Sequence, residues 1–173
     1  MEPQEIHELA EKAARRKEKG IGLTTAILAV LLAVVTMMAH RSHTEEVVLQ
    51  TRAADQWSYY QAKNIRRHMY AADKQLAQAL GAGGGAAAAG FQRLYAHEMK
   101  KLPAVMKDAQ RLEAEALAIS YRADFYDVAE IFFELAVVLC SIALLAEQLV
   151  YWRFSMLSGV LGIGIAVIGL LRH

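Results

Sequence analysis

The chain has one cysteine and two prolines in 173 residues. A lone thiol, Cys140, closes no intrachain disulfide, so the fold does not depend on an oxidising compartment. With so few breakers and so much alanine, the sequence predicts a chain that is nearly all helix. Net charge is also scarce: 19 basic residues stand against 18 acidic ones. That balance leaves no electrostatic footprint for a nucleic acid. Catalytic pairings are missing too. Cys140 and Ser141 have no histidine near them in sequence. The glycine-rich run at 81–90, GAGGGAAAAG, lacks the preceding strand and the Lys-Ser/Thr ending of a phosphate loop. The expectation is a protein that is not an enzyme and carries no cofactor.

Apolar residues, by contrast, make up 55% of the chain. They are bunched rather than spread, whereas a soluble domain needs a wet face on each element. Residues 21–39 hold no charge, and at ~1.5 Å per residue they span roughly 28 Å, about the hydrocarbon thickness. That run exceeds a signal-peptide core and no small-x-small cleavage site follows it. Two further spans follow at 128–150 and 154–171. Lys12, Arg15, Arg16, Lys17 and Lys19 precede the first span, while only Arg41 and Arg52 follow it closely. The bias places a charged helix, 1–20, in the cytoplasm and residues 41–127 outside. Within 1–20, Ile6, Leu9, Ala10 and Ala13 form a thin apolar stripe. Tyr151 and Trp152 suit an interfacial belt and Arg153 a cytoplasmic turn at 150–153, so the terminal Arg172 and His173 fall outside.

The organising stretch is 41–127. Ala62, Ile65, Met69, Ala72, Leu76 and Ala79 alternate by three and four, as do Phe91, Tyr95, Glu98, Leu102, Val105, Ala109, Leu112, Ala116, Ile119, Ala123 and Tyr126. Such spacing marks heptad seams. The glycines of 81–90 disfavour helix and predict a reversal between the two arms. Pro103 predicts a kink or a fresh helix start. The expected fold is an all-α membrane protein: three transmembrane helices (the first at 21–40) and a long extramembrane antiparallel helical hairpin, coiled-coil-like in its seam.

Candidate sites are sparse. Trp57, Tyr59 and Tyr60 are aromatics with polar handles and suit a helix–helix contact. Leu102, Leu112 and Ile119 lie on the second seam, and Gly162 on a glycine-lined packing face with Gly159, Gly164 and Gly169. Glu134 and Glu147 are polar positions within the second span, near its two ends, Glu147 within reach of Arg153; an intramembrane carboxylate is a functional hypothesis by default. His40, His43 and Glu46 have a spacing that can hold a metal, but the signal is weak and no metal site is assigned.

The segment LTTAILAV at 23–30, followed by DQWSYYQAK at 55–63, resembles a bacterial family of uncharacterised membrane proteins, domain of unknown function 4337. The likeness extends over nearly the whole chain, with 81–90 as a departure. It implies the architecture and a bacterial inner-membrane setting, with 41–127 periplasmic, and implies no activity. The functional expectation is a membrane scaffold or interaction protein whose partners are the lipid bilayer and either copies of itself or a larger membrane complex. The alternative is an oligomeric ion or small-solute channel or transporter.

Overall fold

The computed structural model describes residues 3–171. The side chains of Ile6, Leu9, Ala10 and Ala13, on which the apolar stripe was expected, and the terminal Arg172 and His173 lie outside what is described. The fold is all-helical. Helix α1 runs Pro3–Ala79, α2 Gly85–Leu145 and α3 Leu149–Leu171. All three are long and apolar enough to cross a membrane.

The break between α1 and α2 is shorter than the glycine content suggested. A 3-10 turn at Gly81–Gly83 follows Ala79, and α2 starts at Gly85. Residues 85–90 are therefore helix. Four consecutive alanines, Ala86 to Ala89, are strong helix formers and carry Gly85 and Gly90 with them. Two glycines do the turning. Gly81 has φ 68°, a left-handed conformation that suits a residue without Cβ. At Gly84 a Cβ would run into the Ala77 carbonyl. Pro103 starts no new helix; it lies inside α2.

The far end of α2 also differs from expectation. The helix ends at Leu145, where Ala146 N–H donates to the Ile142 carbonyl at 2.8 Å and Glu147 turns to φ 55°. Three residues, 146–148, make the turn. Tyr151, Trp152 and Arg153, expected in the connection, belong to α3, and Glu147 lies in the turn rather than in a span. Hydropathy could not show this, because Ala146, Leu149 and Val150 continue the apolar run past a backbone reversal.

By contact the chain divides into two units. One comprises residues 1–44 and 119–173, the other 45–118. In the first, α1 buries Ile21, Leu28, Val35, Ala39 and Ser42, spaced by seven and then by four and three. Helix α2 buries Tyr126, Ala129, Phe133, Ala136, Cys140 and Ala143, and α3 buries Ser155, Ser158, Gly159, Gly162 and Gly169. Small residues let the helices approach closely. A Cβ on Gly159 would lie 2.7 Å from Leu28 Cδ2, and one on Gly162 3.2 Å from the Phe133 ring and 3.3 Å from the Ala129 carbonyl oxygen. Of the glycine face read from the sequence, Gly159, Gly162 and Gly169 pack inward; Gly164 meets open space.

Hydroxyls in these helices find partners without water. Ser155 Oγ donates to the Ala136 carbonyl at 2.8 Å, leaving Cys140 Sγ, 3.0 Å away, as donor to it; Ser158 Oγ donates to the Phe132 carbonyl at 2.7 Å. Thr24, Thr25 and Ser141 each bond the carbonyl four residues back. A segment in hydrocarbon must satisfy its polar groups internally, and these do.

In the second unit α2 meets the expectation of its spacing. Glu98, Leu102, Val105, Ala109 and Ala116 are buried, with Phe91, Tyr95 and Leu112 half-buried between and around them. In α1 the expected seam is on the wrong side. Ala62, Ile65, Met69, Ala72, Leu76 and Ala79 are all exposed. The buried residues are Ala53, Lys63 and Ala77, with Tyr60, Arg67, Tyr70 and Lys74 half-buried along the same line. Alternation by three and four occurs twice on this helix, and the apolar pattern marks the face with more hydrocarbon. The face in use is held by polar groups that bond across to α2.

Candidate functional site

The distinctive stretch 55–63 ends on the residue around which the second unit's polar contacts gather. Lys63 is buried, and its Nζ donates to Glu98 Oε2 at 2.9 Å; both side chains keep under a tenth of their exposure. Helical spacing explains the meeting. Lys63 lies on the inner line of α1 with Tyr60, Arg67 and Tyr70, and Glu98 occupies a seam position of α2 between Tyr95 and Leu102. A buried charge stays buried only when paired. Each member therefore requires the other.

One aromatic ring lies beside the pair, and two more pack on each other on the same helix. The Tyr59 ring sits 5.0 Å from Lys63 Nζ, within cation–π range. Trp57 and Tyr60 meet edge to face with centroids 5.7 Å apart. Two further contacts follow the same line towards the turn: Arg67 Nη1 to Met99 Sδ at 3.1 Å, and Lys74 Nζ to Gln92 Oε1 at 2.7 Å.

Electrostatics follow from the pairing. The Glu98 carboxylate holds the Lys63 ammonium above its ordinary value of 10.5, against a desolvation that pulls it down. The hydrogen bond from Lys63 holds Glu98 below its ordinary 4.5, again against desolvation. Both groups are thus kept charged, which suits a structural lock and not proton transfer. Beside the pair lies a groove of about 440 Å³ lined by Tyr59, Lys63, His97, Lys100, Lys101 and Val105, among others. The pair Lys100–Lys101 is exposed on its rim.

Of the sequence-read positions, Tyr59 lies against this cluster. Trp57 and Tyr60 are half-buried, Tyr59 exposed. Leu102 is buried; Leu112 and Ile119 are half-buried. Gly162 packs on Phe133 in the other unit. Glu134 and Glu147 are exposed, on α2 and in the turn after it, and no ion pair joins Glu147 to Arg153. His43 Nε2 lies 3.0 Å and 3.2 Å from the two carboxylate oxygens of Asp127, and Thr36 Oγ1 donates to Glu130 Oε1 at 2.7 Å. Among the described residues no three His, Cys, Asp or Glu side chains are arranged to hold a metal ion.

Sequence reading missed Lys63 as a site residue. The available signal was Glu98, the one charge among the seam residues of α2, which demanded a cation on whatever packs against it.

Residues 17–172 match the family model described as domain of unknown function 4337. Among curated proteins and among solved structures, nothing matches the chain.

Proposed function

The chain belongs to the domain of unknown function 4337 family, and from that premise we propose that it is a non-enzymatic scaffold of the bacterial inner membrane. In this reading α1 and α2 beyond the membrane form an antiparallel, coiled-coil-like hairpin, with the N-terminus cytoplasmic and 41–127 periplasmic. The hairpin joins copies of the chain, or a larger membrane complex, through its outer faces.

One observation carries the reading. The second unit buries few large apolar residues, Leu102 and Val105, beside small and polar ones, and leaves more of the large ones outside. Ala53, Ala77, Ala88, Ala109 and Ala116 are buried, while Ile65, Met69, Leu76, Leu94 and Met106 are exposed. Two helices arranged so bury little apolar area, and the stabilisation from burial scales with that area. Association would cover the rest. Exposed apolar surface of this extent marks an interaction site.

The test is native pull-down of the tagged full chain with mass spectrometry, beside sizing in mild detergent. Expected is a multiple of the 19.1 kDa chain or a defined set of co-purifying membrane proteins. A monodisperse monomer that recovers nothing would sink the proposal.

A second reading, an oligomeric channel or transporter, rests on Glu134, a carboxylate exposed on the apolar part of α2. Uncovered charge within a span is costly, and a pore would cover it. Conductance in reconstituted bilayers, lost in Glu134→Gln, would support it; conductance unchanged in that variant removes the residue from the pathway.

A further inference from the structure

Helix α1 carries two seams. The inner one, through Tyr60, Lys63, Arg67, Tyr70, Lys74 and Ala77, faces α2. The outer one, Ala62, Ile65, Met69, Ala72, Leu76 and Ala79, lies about 200° around the helix from it at 100° per residue. Ile65, Met69 and Leu76 are 60%, 56% and 66% exposed. The inner face already has its neighbour in α2, so an apolar stripe on the far side is built for a second one.

We propose that the outer seam is a parallel homodimer interface, joining α1 of one chain to α1 of a second copy in register. The inference rests on the self-assembly reading above and names its contact. Three observations select a second copy in this orientation. First, the period is seven residues over nearly three heptads, which fits another helix winding at 3.5 residues per turn rather than an irregular surface. Second, copies inserted the same way in one bilayer share chain direction, and α1 continues unbroken from its span into this seam. Third, the flanking positions are self-complementary. In a parallel pair a residue just before one core position faces the residue five further on in its partner. That sets His68 against the partner's Asp73 and Gln61 against the partner's Arg66, twice each by symmetry, and puts no like charges together. The core layers are Ala62, Ile65, Met69, Ala72, Leu76 and Ala79, each on itself; the alanine layers let the backbones approach closely.

The test uses the full chain in its membrane, in a Cys140→Ala background. Ile65→Cys and Ala72→Cys are oxidised separately, with Gln110→Cys, exposed on α2, as control. Each seam variant alone should give covalent dimers, and the control should not. Met69→Glu adds a charge at a position exposed in the single chain, so helix content should hold while the Ile65→Cys cross-link falls roughly tenfold or more. Cross-linking only when Ile65→Cys and Leu76→Cys chains are mixed would mean antiparallel pairing and overturn the inference. So would an oligomer by sizing with no seam cross-link, which leaves the self-assembly reading standing. A monomer by both measures removes the inference and self-assembly together.

Discussion

At the residue scale, the chain's least forgiving contact is Lys63 with Glu98. Removing one member leaves the other charged and buried, a change that destabilises by about 3–5 kcal/mol. Lys63→Met and Glu98→Leu should each lower the unfolding midpoint of the detergent-solubilised chain, followed by circular dichroism. The double variant should recover most of the loss, because an apolar pair of similar volume often does as well as an ion pair. A double variant no better than the worse single one would show that the charges do more than neutralise each other. The pH dependence has a definite sign. Glu98 is held below its ordinary 4.5, so its contribution is present above that value and fades as pH falls through the lowered one. Lys63 is held above 10.5, so its contribution is complete below that value and is lost as pH rises through the raised one. Between those limits the pair should contribute a flat plateau, and in Lys63→Met/Glu98→Leu the fall in stability on the acid side should be shallower. The same two residues mark a limit of sequence reading. Glu98 was legible as an anomaly in an apolar seam. Its partner was not, since which lysine lies opposite depends on where the turn falls, and the turn was displaced by helical alanines.

At the scale of elements, α2 and α1 differ in legibility for a physical reason. The second-unit seam of α2 is apolar except at Glu98, so hydrophobic period and buried face coincide. Helix α1 holds α2 with Lys63, Arg67 and Lys74 and leaves Ile65, Met69 and Leu76 outside. There the apolar period reports a face that the single chain does not use. Similarly, the third span was readable as apolar and glycine-rich, but which glycines matter was not. Gly162 is pressed against Phe133 and the Ala129 carbonyl, while Gly164 has free space. The two should respond with opposite signs. Gly162→Val overpacks the contact and should destabilise by about 1–3 kcal/mol. Gly164→Ala removes backbone freedom at no steric cost and should be neutral or stabilising by up to roughly 1 kcal/mol. Thermal unfolding in one detergent, with both variants measured side by side, checks this. Equal losses at the two positions would contradict the packing of α3 described above.

At the scale of the whole molecule, three apolar helices and their charges make a topology that can be tested without knowing any partner. The basic residues Arg15, Arg16, Lys17 and Lys19 lie just before the first span, and basic residues beside a span favour the cytoplasmic side. If the N-terminus is cytoplasmic, one crossing puts the α1–α2 turn outside, a second puts the turn at 146–148 inside and a third puts the end of α3 outside. That turn now lacks Arg153, which belongs to α3, so the case for its cytoplasmic placement rests on the first span and on counting crossings. Single cysteines report it directly. In a Cys140→Ala background, Lys17→Cys, Ser58→Cys and Gln148→Cys all replace exposed residues. A membrane-impermeant maleimide added to intact spheroplasts should label Ser58→Cys alone, and lysis should expose the other two. Labelling of Lys17→Cys and Gln148→Cys with protection of Ser58→Cys would invert the topology and move the second unit to the cytoplasm. Labelling of Ser58→Cys and Gln148→Cys together would mean that α2 does not cross, and the three-span architecture would fail with it.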